Sequence, residues 1–271
     1  MFDWFLGLNP IIQATLAGVF TWAMTALGSS IVFLFHDVNK RLLAIMNGFA
    51  AGVMVAASYW SLLAPSIEYA EQSGYGVWSF VPAVVGFLIG GVFLRVIDGV
   101  VPHLHKRSEG NDEREGMPST LSSTTLLFLA VTIHNIPEGL AIGVAFGAAG
   151  EGASSITSAI VLALGIGLQN FPEGAALSMP IRAEGNSKGH SFNMGQSSAL
   201  VEIGAALVGA MLVSQMTVIL PYALAFAAGA MIFVCIEELI PASQNNGYSE
   251  IATIAFMMGF AIMMTLDVAL G

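Results

Sequence analysis

The chain has 271 residues, of which 56% are hydrophobic and only 10% charged, and its mean hydropathy is +0.78. Soluble domains carry about 25% charged residues, so the composition excludes a soluble globular protein and describes an integral membrane one. The net charge of −10, from 18 acids against eight bases, comes with no basic stripe, which excludes nucleic acid as a partner.

About 20 residues of apolar helix cross a hydrocarbon core of about 30 Å. Eight stretches meet that length, near 10–35, 42–65, 77–101, 121–147, 153–181, 191–214, 218–241 and 249–270, and they predict an all-α membrane protein of eight transmembrane helices. They leave no room for a separate soluble domain, so residues 1–271 read as a single transmembrane domain. The opening Met1-Phe2-Asp3-Trp4 lacks the basic n-region of a cleaved signal peptide, so the first helix is expected to remain as an anchor.

Lys40 and Arg41 follow the first helix, Arg95, Lys106, Arg107 and Arg114 end or follow the third, and Arg182 and Lys188 follow the fifth. These are alternate connections, and the positive-inside rule makes their side cytoplasmic, with both termini outside. The opposite connections, among them Glu68-Tyr69-Ala70-Glu71 and Glu151-Gly152, hold no lysine or arginine. Residues 102–120, with Glu109, Asp112, Glu113 and Glu115, read as a flexible cytoplasmic loop in which His103 and His105 are solvated. The single cysteine, Cys235, excludes an intrachain disulfide and reads as a small core residue of the seventh helix.

An ionisable residue inside a membrane helix is a functional-site hypothesis by default. Two related hexapeptides supply them: His134-Asn135-Ile136-Pro137-Glu138-Gly139 in the fourth helix and Gln169-Asn170-Phe171-Pro172-Glu173-Gly174 in the fifth. Residues at i and i+4 share a helix face, so His134 aligns with Glu138 and Gln169 with Glu173, while Asn135 and Asn170 join through i+3. Pro137 and Pro172 each withdraw a backbone donor and free a carbonyl one turn earlier. Counted from the cytoplasmic ends, His134, Gln169 and Glu202 of the sixth helix all lie roughly 16–20 Å deep at 1.5 Å per residue. Glutamates gathered at one level repel, and a divalent cation removes the conflict. One imidazole with carboxylates and amide oxygens suits a borderline metal such as Zn²⁺. A buried hydrogen-bond network that merely orients helices is the plainer alternative; three Glu, one His and two aligned motifs weigh against it.

The His-Asn-x-Pro-Glu-Gly helix, followed 35 residues later by Gln-Asn-x-Pro-Glu-Gly, resembles the ZIP (Zrt-, Irt-like protein) family of metal transporters. The Gln of the second motif and the compact length resemble its GufA-type branch, which includes bacterial members. The resemblance implies a two-metal centre between the fourth and fifth helices. His134, Glu138, Gln169, Glu173 and Glu202 would ligate one position, with Met54 joining them. Asn135 and Asn170, with the same three glutamates bridging, would form the second. Asn170 stands where some members carry Asp and removes a negative charge there, so one or two ions are expected. Zn²⁺ is then the substrate, with Cd²⁺, Fe²⁺ and Mn²⁺ as further substrates. The expected partners are divalent metal ions, membrane lipid and a second copy of the chain in a homodimer, and the expected location is the plasma membrane (the bacterial inner membrane).

The same motif carried in opposite directions by helices four and five signals an inverted repeat, a common basis of alternating access. The resemblance extends it to helices one to three against six to eight, a 3+2+3 arrangement. Gly86, Gly90, Gly91, Gly204 and Gly209 are expected to let helices pack closely and slide. Asp98, Glu237, Glu238 and Asp37 read as an acidic exit to the cytoplasm, and Asp267 as an outer attractor of cations. Uptake from outside to the cytoplasm follows. A metal-dependent intramembrane hydrolase competes, but His-Glu-x-x-His is absent and only His134 of the five histidines lies in a span, so the chain reads as no enzyme. A metal exporter is the other alternative, and the paired motifs favour import.

Overall fold

A computed structural model describes residues 3–34, 39–105, 113–115, 120–152, 154–215, 217–244 and 247–270. Eight helices are long and apolar enough to cross a membrane: Pro10–Phe33, Lys40–Trp78, Phe80–Val100, Thr124–Gly150, Ile156–Ala183, Lys188–Val213, Leu220–Gln244 and Ser249–Leu270, numbered here as spans one to eight. All eight expected stretches are present. Polar residues start most of them. The side chains of Asn9 and Asn39 accept the backbone N–H groups of Ile11 and Leu42, and Ser122, Ser155 and Ser187 accept those of Thr125, Ser158 and His190. Such caps satisfy donors that a helix N-terminus otherwise leaves bare.

Three local departures matter. Glu68-Tyr69-Ala70-Glu71, expected as a loop, is helical, because span two continues through π-helical stretches at Ser58–Leu63 and Glu71–Tyr75. The extension is anchored where the Ser66 hydroxyl donates to the Pro221 carbonyl at 2.6 Å, and it kinks where Gly74 takes φ 87°. Span six is two helices, Lys188–Ser198 and Leu200–Gln215, separated at Ala199. In the connection expected to be an irregular loop, His103–His105 pairs antiparallel with Glu113–Glu115, in the register His103 to Glu115. Asp37 and most of the remaining loop lie outside the described residues.

The spans associate as four parallel pairs: two with eight, three with seven, four with six, and one with five. Exchanging one for six, two for seven, three for eight and four for five maps this pattern onto itself, which is the inverted repeat expressed as packing. Each pair is joined by reciprocal glycines. A Cβ on Gly52 would strike the Phe256 carbonyl and one on Gly259 the Phe49 carbonyl; Gly90 and Gly229 do the same against Phe226 and Phe87. Gly143 and Gly209 meet Ala206 and Leu140, and Gly28 and Gly174 meet Phe171 and Thr25. Without a hydrophobic drive between helices in lipid, such close backbone approach supplies much of the association. Spans one, four, five and six thus form one bundle, and two, three, seven and eight the other, with spans two and seven facing five and four across the seam.

The close packing expected of the small residues is present at three of the five. Gly86, Gly90 and Gly209 sit in interlocked seams within a bundle rather than on a sliding surface, and Gly91 and Gly204 face open space. Both chain ends lie on one face of the molecule. Phe5 packs edge-on against Phe146 and Pro10 against Gly150, while Asp267 shares a cavity with Ser154 and Ser155.

Gly90→Leu should sharply reduce the yield of monodisperse protein in detergent, since its side chain would be driven into the Phe226 backbone at a cost of about 1–3 kcal/mol or more. Gly91→Leu, its neighbour in open space, should elute like the wild type on size-exclusion chromatography. Equal yields from both variants would contradict the interlocked seam.

Candidate metal site

Spans four and five each carry their motif through an unbroken helix, with Pro137 and Pro172 inside. Each proline has no N–H to offer the carbonyl four residues earlier, at Ile133 and Leu168. The glycine that ends each motif gives the close approach just described: Gly139 admits the backbone of Glu202, and Gly174 admits span one at Thr25 and accepts the Ser29 hydroxyl at 3.2 Å. The Pro-Glu-Gly order therefore places a carboxylate between a loosened turn and a tight helix contact.

The polar side chains meet across these contacts. Gln169 Nε2 donates to Glu138 Oε1 at 2.7 Å. Asn170 Nδ2 donates to both carboxylate oxygens of Glu202 at 2.9 Å, and to the Thr21 carbonyl at 3.4 Å. Asn170 and Glu202 are wholly buried and Glu138 is 1% exposed; His134, Asn135 and Gln169 are buried as well, and Glu173 is half-buried. Glu138 interacts electrostatically with Glu173 and Glu202, and Glu173 with Glu238 of span seven in the other bundle.

The arrangement is two carboxylate–amide pairs rather than a closed cage. Among the described residues, no group of three or more His, Cys, Asp or Glu side chains stands close enough to hold a metal ion by itself. Each amide donor quenches part of a buried negative charge. What remains is oxygen-rich. Asn135 Oδ1 and Nδ2, Glu138 Oε2, Gln169 Oε1 and Asn170 Oδ1 are buried and have no hydrogen-bond partner. A buried acceptor left in that condition costs about 1–3 kcal/mol. Oxygen is the donor type that divalent cations take up alongside imidazole nitrogen, and His134 lies one turn before Glu138 on the same helix.

The other expected residues fall into separate places. Met54 is buried in an apolar cluster with Val53, Leu162, Ile166 and Met263. Asp98 is 2% exposed near the end of span three. Glu237 and Glu238 are half-buried in a π-helical turn, Cys235–Leu239, a geometry that recurs at functional sites. Asp267 is buried and accepts the Ser61 hydroxyl at 2.6 Å. It lines a cavity of about 350 Å³ with Trp60, Glu68 and Ser155.

Sequence reasoning missed two contributors from span one and one from span two. Thr21 places its carbonyl on Asn170 and its side chain beside the Glu202 carboxylate. Trp22 reaches span six. Ser61 holds Asp267. The available signal was weak: polar Thr21 and Thr25 one turn apart in an apolar span, and Ser58 and Ser61 in the next.

A sequence model described as the ZIP zinc transporter family matches residues 102–267. The zinc transporter ZIP11 of Bos taurus is 40% identical, over 98% of this chain and 99% of its own. The zinc transporter GufA of Myxococcus xanthus is 34% identical, over 96% and 98%. The zinc transporter ZIPB of Bordetella bronchiseptica is 36% identical, over 95% and 81%.

Asn170→Asp replaces a donor to Glu202 with a second carboxylate. The melting temperature in detergent should fall by about 5 °C, the effect of roughly 1–3 kcal/mol. Saturating Zn²⁺ should restore most of the loss by neutralising the pair. A variant as stable as wild type in chelator would show that the Asn170–Glu202 contact carries little energy.

Proposed function

Because the chain belongs to the ZIP family of zinc transporters, in its GufA-type branch, we propose that it carries Zn²⁺ from outside the cell into the cytoplasm across the plasma membrane. The observation that carries this reading is the meeting of Glu138 with Gln169, and of Glu202 with Asn170, as wholly buried pairs in the interior of the spans. The family is one of transporters and not of enzymes, which answers the hydrolase alternative. An exporter would use the same site in reverse; the acidic chain leading to the side of the basic connections favours import.

In this reading the cation first reaches the cavity on the face of the chain termini, where Asp267 and Glu68 supply negative charge. It loses water to His134, Glu138, Gln169, Glu173 and Glu202, with Met54 as a soft ligand across the seam. Gln169 rotates its amide so that Oε1 rather than Nε2 meets the ion, and Asn170 does the same. Asn135, Asn170 and the bridging glutamates make the second position, weaker for having a neutral amide at residue 170. Glu238, Glu237 and Asp98 then draw the ion toward the cytoplasm. Cd²⁺, Fe²⁺ and Mn²⁺ are carried as well, because a site with one imidazole and many oxygens discriminates poorly among borderline cations.

Alternating access is the motion of the bundle of spans one, four, five and six against that of spans two, three, seven and eight. Glycine-locked seams hold each bundle together, while the surface between them is met by side chains such as Met263 against Gly165.

Glu138→Ala and Glu173→Ala should each reduce ⁶⁵Zn²⁺ uptake into proteoliposomes to background; wild-type flux in both would defeat the site assignment. A reversible cross-link between cysteines placed on spans two and five, in a Cys235→Ser background, should stop uptake while equilibrium zinc binding persists. Undiminished flux through the cross-linked protein would argue for a channel-like path.

A further inference from the structure

We infer that Trp22 of span one is a positioning residue for Glu202, acting by clamping the break in span six; the inference rests on the reading of Glu202 as a metal ligand.

The break is local and lies beside two back-bonded serines. Ser197 and Ser198 turn their hydroxyls back onto the carbonyls of Met194 and Gly195, at 3.4 and 2.8 Å. Back-bonding of this kind loosens and bends a helix. The helix ends at Ser198 and resumes at Leu200, and the Glu202 N–H reaches only three residues back, to the Ala199 carbonyl at 3.1 Å. The interruption thus falls three residues before the one carboxylate of span six. In an unbroken helix the Gln196 carbonyl would receive the N–H of residue 200. Here it receives the Trp22 indole N–H at 3.1 Å, and the same N–H reaches Gln196 Oε1 at 3.0 Å. A backbone acceptor freed inside the membrane is thereby satisfied from the neighbouring helix, as the bilayer requires.

The same turn of span one also reaches Glu202, as does Gly139 of span four. A Cβ on Gly18 would lie 3.1 Å from the Ile203 Cα and 3.4 Å from the Glu202 carbonyl oxygen. The Thr21 carbonyl accepts the Asn170 amide that also bonds Glu202. Span one therefore contacts both the backbone of Glu202 and its amide partner, and Trp22 adds a hydrogen-bonded clamp to the half of span six before the break, beside the contact of Gly195 with Ser29 and Ser178. A loosened break would move the carboxylate relative to Glu138 and Gln169 while leaving the packing of both helices intact.

Trp22→Phe keeps the aromatic body and deletes the N–H. The apparent KM for zinc uptake into proteoliposomes should rise about fivefold, with a maximal rate within about twofold of wild type and an unchanged melting temperature. Gln196→Met removes only the side-chain acceptor and should raise KM less, by about twofold, and the double variant should be no worse than Trp22→Phe alone. A wild-type KM in Trp22→Phe overturns the inference. So does a fall in maximal rate and melting temperature with KM unchanged, which would make Trp22 a purely structural residue. Glu202→Gln is measured in parallel. A wild-type KM there would overturn the ligand reading itself, whereas a raised KM there beside a wild-type Trp22→Phe overturns the clamp alone.

Discussion

A carboxylate in the middle of a bilayer has no water to solvate it, and the fold is organised around that constraint. Glu138 and Glu202 are both buried, and each meets an amide from span five, Gln169 and Asn170 respectively. Those two contacts tie span five to span four and to span six. Asn170 adds a third bond, to the Thr21 carbonyl, that draws in span one. The bundle that carries the site is thus the set of helices needed to satisfy its acids. In the other bundle, glycine contacts are joined by single serine bonds, Ser66 to Pro221 and Ser61 to Asp267. The satisfaction is incomplete, and oxygens on Asn135, Glu138, Gln169 and Asn170 remain unmatched. A network built only for rigidity would gain by closing them. Under the proposed function, a site that accepts and releases a cation gains by keeping them.

Under the proposed alternating access, glycine placement accounts for how such a site would move without falling apart. Reciprocal glycines occur at the seam of every parallel pair, from Gly52 with Gly259 to Gly28 with Gly174, and each brings backbone against backbone. Contacts of that kind resist sliding, because any shift drives a carbonyl into a neighbouring helix. Across the seam between bundles the contact is different in kind. Met263, whose sulfur and methyl pack at Gly165, has three rotatable bonds and can follow a moving surface. Rigid seams within bundles and an adaptable one between them are what alternating access asks of a helical transporter.

Irregular backbone lies where the chemistry lies. The π-helical turns at Ser58–Leu63 and Cys235–Leu239 are in spans two and seven, which the inverted repeat relates, and they carry Ser61 and the Glu237–Glu238 pair respectively. The break at Ala199 precedes Glu202. Pro137 and Pro172 precede Glu138 and Glu173. At each place a polar group that hydrocarbon would penalise stands beside backbone that has been released from its own helix.

The amino-acid sequence by itself determined the number of spans, their approximate ends and the residues worth suspecting at the core of the site. Hydrophobic length, basic-residue bias and helical periodicity are properties of adjacent residues, and the paired motifs place His134, Glu138, Gln169 and Glu173 on one face each without reference to any other helix. The tertiary structure decided what those rules cannot reach. Whether span two stops near residue 65 or runs to Trp78 depends on Ser66 finding Pro221. Whether Gly90 or Gly91 meets a neighbouring helix depends on which side span seven lies. Trp22 and Thr21 look like ordinary residues of an apolar helix until Gln196 and Asn170, distant in the chain, are brought against them. The physical reason is common to all three: a helix in lipid specifies its own hydrogen bonds locally, but the partners of its polar side chains and the seams of its small ones are fixed only when another helix arrives.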